Sequence, residues 1–461
     1  MKEELLNLIE ELDSNQEEIA RKSLLTKIKP CLENLEPADI SEILNDIDKN
    51  LLPLIFRLLP KDTSAEVFVN MDYDNQEFLI SAFTNKELSY IINDLFSDDI
   101  KDIVEEMPSN VVRRIMRVAS SETRSAVNKL LGFPKDSAGS IMTTECITLR
   151  AEMTVEDALN KIRKQAIDKE TIYTCYVTDN NKRLLGIVTA KDIILHEPME
   201  IIGDFMSETP IFAYTHDDRE EVSAMLSKYD LLAIPIVDSE HRINGIVTID
   251  DAIDVLEEEV TEDINKMAAI VPTNKPYLQT GVFSIFKSRF PWLMILLISA
   301  TFTGIIINSY EGTLNLLSPL LFACIPMLMD SGGNAGSQAS VTVIRSLALN
   351  ELEFKNIFKV IWKEVRVSIL LASLLSLICF AKLQLVDNLI FGYDYTIKIS
   401  LVVSLALFIT IVVAKVVGSC LPLFAKKFKL DPAVVASPFI TTIVDAISLI
   451  LYCKIAVLIL G

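Results

Sequence analysis

The chain has 461 residues, more than one domain ordinarily holds, and combines a 50% hydrophobic composition with a formal net charge of −20. One globular domain accommodates that poorly, because apolar and acidic residues compete for the same surface; only nine of the 63 carboxylates follow Pro291, so the front is acidic and the back apolar. The front carries 54 carboxylates against 31 Lys and Arg, about −23, which excludes nucleic acid as a partner, since phosphates need clustered bases, and favours cations.

The opening MKEELLNLIEELD is charged throughout, so no signal peptide is expected. The seven Cys are scattered without a CxxC pair, as on a reduced cytosolic face, and offer no thiolate metal site. Residues 1–135 predict an acidic all-α N domain of short amphipathic helices punctuated by Pro37, Pro60 and Pro108. Ile40, Ile43, Leu44 and Ile47 recur at i, i+3, i+4, i+7, as do Ile100, Ile103, Val104 and Met107. Asp98 and Asp102 form an i, i+4 acidic pair on the opposite, solvent-facing side of the second of these stripes.

From 136 to 260 the chain repeats itself: LLGIVTAKDII (184–194) aligns with INGIVTIDDAI (243–253), and SIMTTECITLR more loosely with DFMSETPIFAY. Each repeat reads as helix, strand, a turn at Gly186 or Gly245, a second strand and a second helix. This resembles a tandem pair of cystathionine-beta-synthase (CBS) modules, 136–200 and 201–260, a regulatory α/β unit. In such modules Thr189 with Asp192, and Thr248 with Asp251, stand where the ribose of an adenine nucleotide such as ATP is held. Both aspartates can equally cap the helix that follows.

Residues 250–275 predict an acidic connecting helix. Asp250, Asp254, Glu258 and Glu262 stack at i, i+4, where like charges cost the helix roughly 0.2–0.5 kcal/mol per pair; hydrated Mg²⁺ between them would reverse the sign. A solvated acidic linker is the plainer alternative.

Five apolar runs follow within 280–461: Pro291–Ile307, Leu316–Leu347, Val367–Leu385, Ile399–Leu423 and Pro432–Leu460. A bilayer core requires roughly 20 apolar residues per helix, so these predict a multi-pass protein in the plasma (inner) membrane with a five-helix all-α domain. The third run needs Lys382 to snorkel. Lys287 and Arg289, then Lys355, Lys359, Lys363 and Arg366, then Lys426, Lys427 and Lys429 mark the cytosolic loops and leave the C-terminus outside.

Asp445 stands in the middle of the last run. A carboxylate at bilayer depth costs roughly 2.5–3.5 kcal/mol on insertion scales, so it must face water, a cation or a partner charge. It is a candidate pore ligand, with an ion pair to Lys415 as the structural alternative. Ser437, Pro438, Thr441 and Thr442 lie one to two turns earlier. Asp330 precedes Gly332, Gly333, Asn334 and Gly336 in the second run, a pattern expected beside a pore or at a close helix crossing.

Taken together, the CBS repeats, the acidic connecting helix, the five runs, GGNAG in the second and DPAVVASPFITTIVD in the fifth resemble the MgtE family of magnesium transporters. The resemblance implies a homodimer in a lipid bilayer, with one pore closed by a plug helix. It implies that Asp445 recognises hydrated Mg²⁺ through water and that Asp431 lies at the cytosolic mouth; Thr441, Ser437, Asn334 and Asp330 are the further pore candidates. Regulatory Mg²⁺ would bind Asp98 and Asp102, then Glu220, Asp230, Asp251 and Asp254, and then Glu259, Glu262 and Asp263 of the plug helix. Ser448 departs from the pattern where Gly is expected, Ser337 where some members have Asn, and Asp330 is an added carboxylate. The alternatives are a CBS-regulated divalent-cation exchanger coupled to Na⁺ or H⁺ through Lys415 and Asp330, and an intramembrane aspartyl protease using Asp330 and Asp445, which the MDSGG context disfavours.

Overall fold

The computed structural model describes residues 2–15, 17–273, 277, 278, 280–349, 351–435 and 437–461, apart from the side chains at 18, 62, 435 and 437. The chain falls into two compact units, Met1–Leu256 and Glu257–Gly461.

In the first unit, ten helices among the described residues run from Lys2–Ser14 to Ser121–Leu130. They are short because start signals recur. Pro37 opens one helix, and Thr84 and Glu87 form a reciprocal capping box at another. The predicted stripes meet in a core that holds Ile40, Ile43, Leu44, Ile100, Ile103 and Val104.

The repeat folds as two three-stranded sheets of the same topology. β1 (Thr148–Leu149) pairs parallel and β3 (Leu184–Thr189) antiparallel with the central β2 (Thr174–Thr178). β4 (Ala213–Tyr214) and β6 (Ile243–Thr248) flank β5 (Ala233–Val237) in the same way. The two modules share a core of Tyr176, Ala233, Ile243 and Ile246. Leu184 N–H donates to the His241 carbonyl and Ile243 N–H to that of Lys182, so the modules are bound backbone to backbone across their pseudo-symmetry. Each module also lends its upstream segment to the other, since Thr143 bridges to Ile246 and Ser207 to Ile187.

That exchange corrects the sequence reading of the two glycines. Gly186 and Gly245 lie inside strands β3 and β6, not in turns. A Cβ on Gly245 would stand 2.3 Å from the Thr143 carbonyl oxygen, and one on Gly186 2.6 Å from that of Ser207. Glycine is needed because another backbone crosses there.

The connecting helix spans Ile249–Met267, shorter than predicted. It stops at Ala269, whose φ of 55° is the left-handed conformation that ends helices. Of the predicted stretch, 274 and 275 lie outside the described residues.

Among the described residues five long helices follow: α1 (Val282–Leu317), α2 (Ile325–Ala348), α3 (Ile357–Ala381), α4 (Ile397–Lys427) and α5 (Ser437–Leu460). All but α2 are long and apolar enough to cross a membrane. At 36 residues, α1 is about 54 Å long, longer than the roughly 30 Å hydrocarbon core, so it outruns the predicted Pro291–Ile307 at both ends. The second run is not one helix: its start is a short helix, Leu320–Ala323, ahead of α2. After α3 the chain widens into a π-helical stretch, Lys382–Asp387, in which Lys382 Nζ pairs with Asp387 at 2.7 Å; Lys382 thus has a carboxylate partner of its own. α4 packs against α2, α3 and α5. At the crossing of α2 and α4, a Cβ on Gly418 would stand 2.2 Å from the Gly336 carbonyl oxygen.

Gly245→Ala is expected to destabilise the first unit by about 1–3 kcal/mol, the usual cost of overpacking. Gly281→Ala, with nothing within 4 Å of the added carbon, is expected to stay within about 0.5 kcal/mol of wild type. Denaturant unfolding of the purified protein followed by circular dichroism measures both.

Candidate cation pathway and regulatory site

The small residues of α2 bring it against α5. A Cβ on Gly333 would lie 3.0 Å from Thr441 Cγ2 and 3.6 Å from Asp445 Oδ1; one on Gly332 would lie 2.9 Å from Ser448 Oγ. The glycines are therefore a close-packed interface, as the plainer sequence reading held, and that packing sets Asp445 over the α2 backbone. Ser448, the departure from the expected Gly, is buried in the space Gly332 leaves. Asp330 and Asn334 flank Gly333 on α2 and are exposed, and the Asp330 charge acts on Asp445. Asp445, Asp330, Asn334 and Thr441 are thus brought together. The Thr441 and Thr442 hydroxyls both donate to the Pro438 carbonyl, at 2.8 and 3.0 Å. Ser437 begins α5, and its side chain lies outside the described residues.

The alternative partner for Asp445 is otherwise engaged: the buried Lys415 Nζ lies 3.9 Å from Glu364 of α3. Among the described residues, no cation pairs with Asp445. At the other end of the same domain, Asp431 Oδ2 accepts from Lys266 Nζ at 2.6 Å, and Lys266 also pairs with Glu262. Burial and the Asp431 charge push the neighbouring Asp263 carboxyl above its usual range.

In the first unit, Asp98 is not on a solvent face. It is buried because its helix N-terminus meets the segment entering the first CBS module, where Ser97 Oγ donates to Glu145 at 2.7 Å. Burial and the charges of Asp251, Asp99 and Glu170 hold the Asp98 carboxyl well above the carboxylate range. Burial and Asp251 also push Asp99 up to about 7 and Glu170 up to about 8. Burial raises Asp251 to about 6 against the hydrogen bond from Thr248. Asp98 Oδ1 and Glu170 Oε2 are buried without hydrogen-bond partners. Buried carboxylate oxygens without donors, on groups whose charges act on one another, fit a hard cation. Among the described residues, no three acidic side chains already converge as metal ligands, so the fit is to Mg²⁺ that keeps its waters.

This cluster holds Asp98 and Asp251 and adds Asp99 and Glu170, which sequence reasoning missed. Asp99 was visible as the neighbour of Asp98, but nothing marked Glu170, a loop residue. Asp102 is exposed, its carboxylate 2.7 Å from Lys101 Nζ. Asp254 is exposed, as are Glu220 in the first turn of the helix Arg219–Lys228 and Asp230 just after it, and none of the three is among the charges that chiefly raise Asp98. Glu259 is half-buried on the connecting helix. The Thr189 and Asp192 side chains form a reciprocal capping box, and Thr248 Oγ1 donates to Asp251 at 2.6 Å, so the capping alternative is realised at both.

Residues 325–455 match the MgtE family of divalent cation transporters, 35–136 the MgtE intracellular N domain, and 138–197 and 202–258 each a CBS domain. The chain is 31% identical over 436 residues to the magnesium transporter MgtE of Thermus thermophilus, covering 94% of this chain and 95% of that one. The chain belongs to the MgtE family of magnesium transporters. A second MgtE, from Bacillus subtilis, is 30% identical over 440 residues, 95% of each chain. A solved soluble part of a magnesium transporter matches 56% of this chain and 99% of its own, at 26% identity and a TM-score of 0.51. MgtE is a transporter family and not an enzyme family, so Asp330 and Asp445 are not a proteolytic dyad. The chain is a membrane protein whose N-terminal domains are cytosolic.

The raised carboxyls set a pH dependence. The folded cytosolic unit binds protons that the unfolded chain releases above about pH 4, so without metal its stability falls as pH rises through about 6 to 8. The metal-free melting temperature of the cytosolic transition is expected to be lower at pH 8 than at pH 6. Mg²⁺, which displaces those protons, should raise it more at pH 8. Calorimetry with and without a chelator checks this.

Proposed function

We propose that the protein conducts Mg²⁺ into the cell down its electrochemical gradient, and that cytosolic Mg²⁺ closes it. The observation that carries this reading is Asp445: a half-buried carboxylate in α5, seated against the glycine step of α2 with Asp330 nearby and no cationic partner among the described residues. In a membrane such a charge needs a cation or water, and a hydrated divalent ion supplies both. Asp330 and Asn334 are exposed on α2 in the single chain, and polar groups at that depth require cover; a second copy, making a homodimer around one pathway, provides it. With α2, which packs along α4 and α5, counted as a span beside the four apolar helices, five spans behind cytosolic domains leave the C-terminus outside the plasma (inner) membrane.

Exchange driven by Na⁺ or H⁺ is less well supported, because the Lys415 offered for coupling is held by Glu364. The gate operates through charge. Without metal, Asp98, Asp99, Glu170 and Asp251 repel one another and are partly protonated. Mg²⁺ among them favours the arrangement that binds it, by its differential affinity alone. Asp251 lies in the first turn of the connecting helix, so the site and the membrane domain share one element. Asp254, Glu259, Glu262 and Asp263 along that helix, with Asp102, Glu220 and Asp230, supply further acidic positions for cytosolic Mg²⁺. Adenine nucleotide such as ATP enters the reading as a second effector at Thr189, Asp192 and Thr248, which it would have to draw from their caps.

Asp445→Ala is expected to insert normally and to lose Mg²⁺ flux by more than about tenfold in reconstituted vesicles; wild-type flux in the correctly inserted variant refutes the pore assignment. In wild type, Mg²⁺ in the millimolar range, about what weak oxygen sites need, is expected to protect the chain from proteolysis near residues 135 and 270. Joint neutralisation of Asp98, Asp99, Glu170 and Asp251 should abolish that protection, and an unchanged wild-type cleavage pattern rules out the feedback.

A further inference from the structure

The acidic series of the connecting helix ends on a base. Asp250, Asp254, Glu258 and Glu262 follow at i, i+4, and the next position of the same series is Lys266. Its ammonium is shared between Glu262, one turn back on the helix, and Asp431 Oδ2 at 2.6 Å, 165 residues further along the chain. The second oxygen of Asp431 accepts the Ala433 N–H at 2.8 Å, so both are engaged. The contact is wider than one ion pair. Met267 packs with Ile344 of α2 and Ala433, and the Val271 N–H donates to the Ser288 carbonyl of α1 at 2.9 Å. The helix end is therefore fastened to the loop before α5, to α2 and to α1.

Remove Lys266, and the junction of Glu262, Asp263 and Asp431 loses the cation that pairs with two of them and acts on the third. Burial opposes the lysine charge, yet its hydrogen bonds to Asp431 and Glu262 outweigh that and keep it protonated. We propose that Lys266 is a built-in cation at the cytosolic mouth. It supplies a metal-independent part of the docking of the connecting helix on Asp431, in addition to the Mg²⁺-dependent closure at the cytosolic cluster, and it surrenders that carboxylate to the permeating divalent cation when the helix withdraws. The ion pair is about a quarter to a third exposed, so it is screened and weak enough to be opened. An ammonium and a divalent cation cannot occupy the same carboxylate oxygen at once. Docking and passage are thus mutually exclusive at Asp431. Only the passage half rests on the proposed function; the docking half stands without transport.

The test introduces Met267→Cys with Ala433→Cys and quantifies their disulfide by peptide mass spectrometry in membranes, which separates it from the native cysteines. With a chelator present, the pair is expected to cross-link. Adding Lys266→Gln should lower the yield about threefold or more, the scale of a partly exposed ion pair. Lys266→Arg should keep the yield, and millimolar Mg²⁺ should restore it in the Gln variant by binding the exposed carboxylates. An unchanged metal-free yield in Lys266→Gln overturns the tether. In flux assays the single Lys266→Gln variant should need about threefold more cytosolic Mg²⁺ than wild type to close, and equal Mg²⁺ dependence of closure overturns the competition at Asp431. If wild type carries no Mg²⁺ at all, the transport reading fails, while the cross-linking result still decides the tether.

Discussion

A carboxylate removed from bulk water must have a cation, a proton or bound water beside it, and much of this chain's organisation follows from how each buried acid meets that demand. Asp387 has Lys382, Glu364 has Lys415 and Asp431 has Lys266. Asp98, Asp99, Glu170 and Asp251 are raised by burial and by the charge of one another more than their hydrogen bonds lower them, and they hold protons at pH values where exposed acids are fully ionised. Asp445 has the α2 backbone and the charge of Asp330. The acids with lysines already have a counter-charge, of which only the partly exposed Asp431–Lys266 pair is weak enough to open. Those without are where a mobile divalent cation gains most, because it relieves repulsion and desolvation together.

Close backbone approach is the second organising device, and it recurs in both units. In the CBS pair, Gly186 and Gly245 admit the crossing segments at Ser207 and Thr143, which lock two modules into one body. In the membrane unit, Gly332, Gly333, Gly336 and Gly418 let α2 lie against α4 and α5. No side chain at Gly333 stands between Asp445 and α2. A Cβ there would press on Thr441 at 3.0 Å and touch the Asp445 carboxylate at 3.6 Å, so packing and ion chemistry meet at the same position.

The connecting helix joins these two devices. Its first turn carries Asp250 and Asp251 to the cytosolic cluster, placing acids at a helix N-terminus where the backbone dipole favours them. Its last turn carries Lys266 and Met267 to the membrane unit, where a cation complements the C-terminal end. Charge sign therefore changes along one helix in the direction that its own dipole stabilises.

The acidic front, the tandem repeat, the apolar runs and the isolated Asp445 were all legible in the sequence, because composition, periodicity and the cost of a charge in a membrane are local properties. So was the end of the i, i+4 series at Lys266, although its register was not followed that far. Which acids share a site was not legible. Asp98 read as solvent-facing because helical period reports one helix's own faces, and only packing buried it beside Glu170, 72 positions away. Gly186 and Gly245 read as turns because the chain that crosses them belongs to the other module. The Asp445–Lys415 alternative could be decided only when α3 brought Glu364 to the lysine. Sequence by itself determined which residues carry charge and which segments must leave water; tertiary structure decided which charges meet, since electrostatic partners are set by distance in space rather than along the chain.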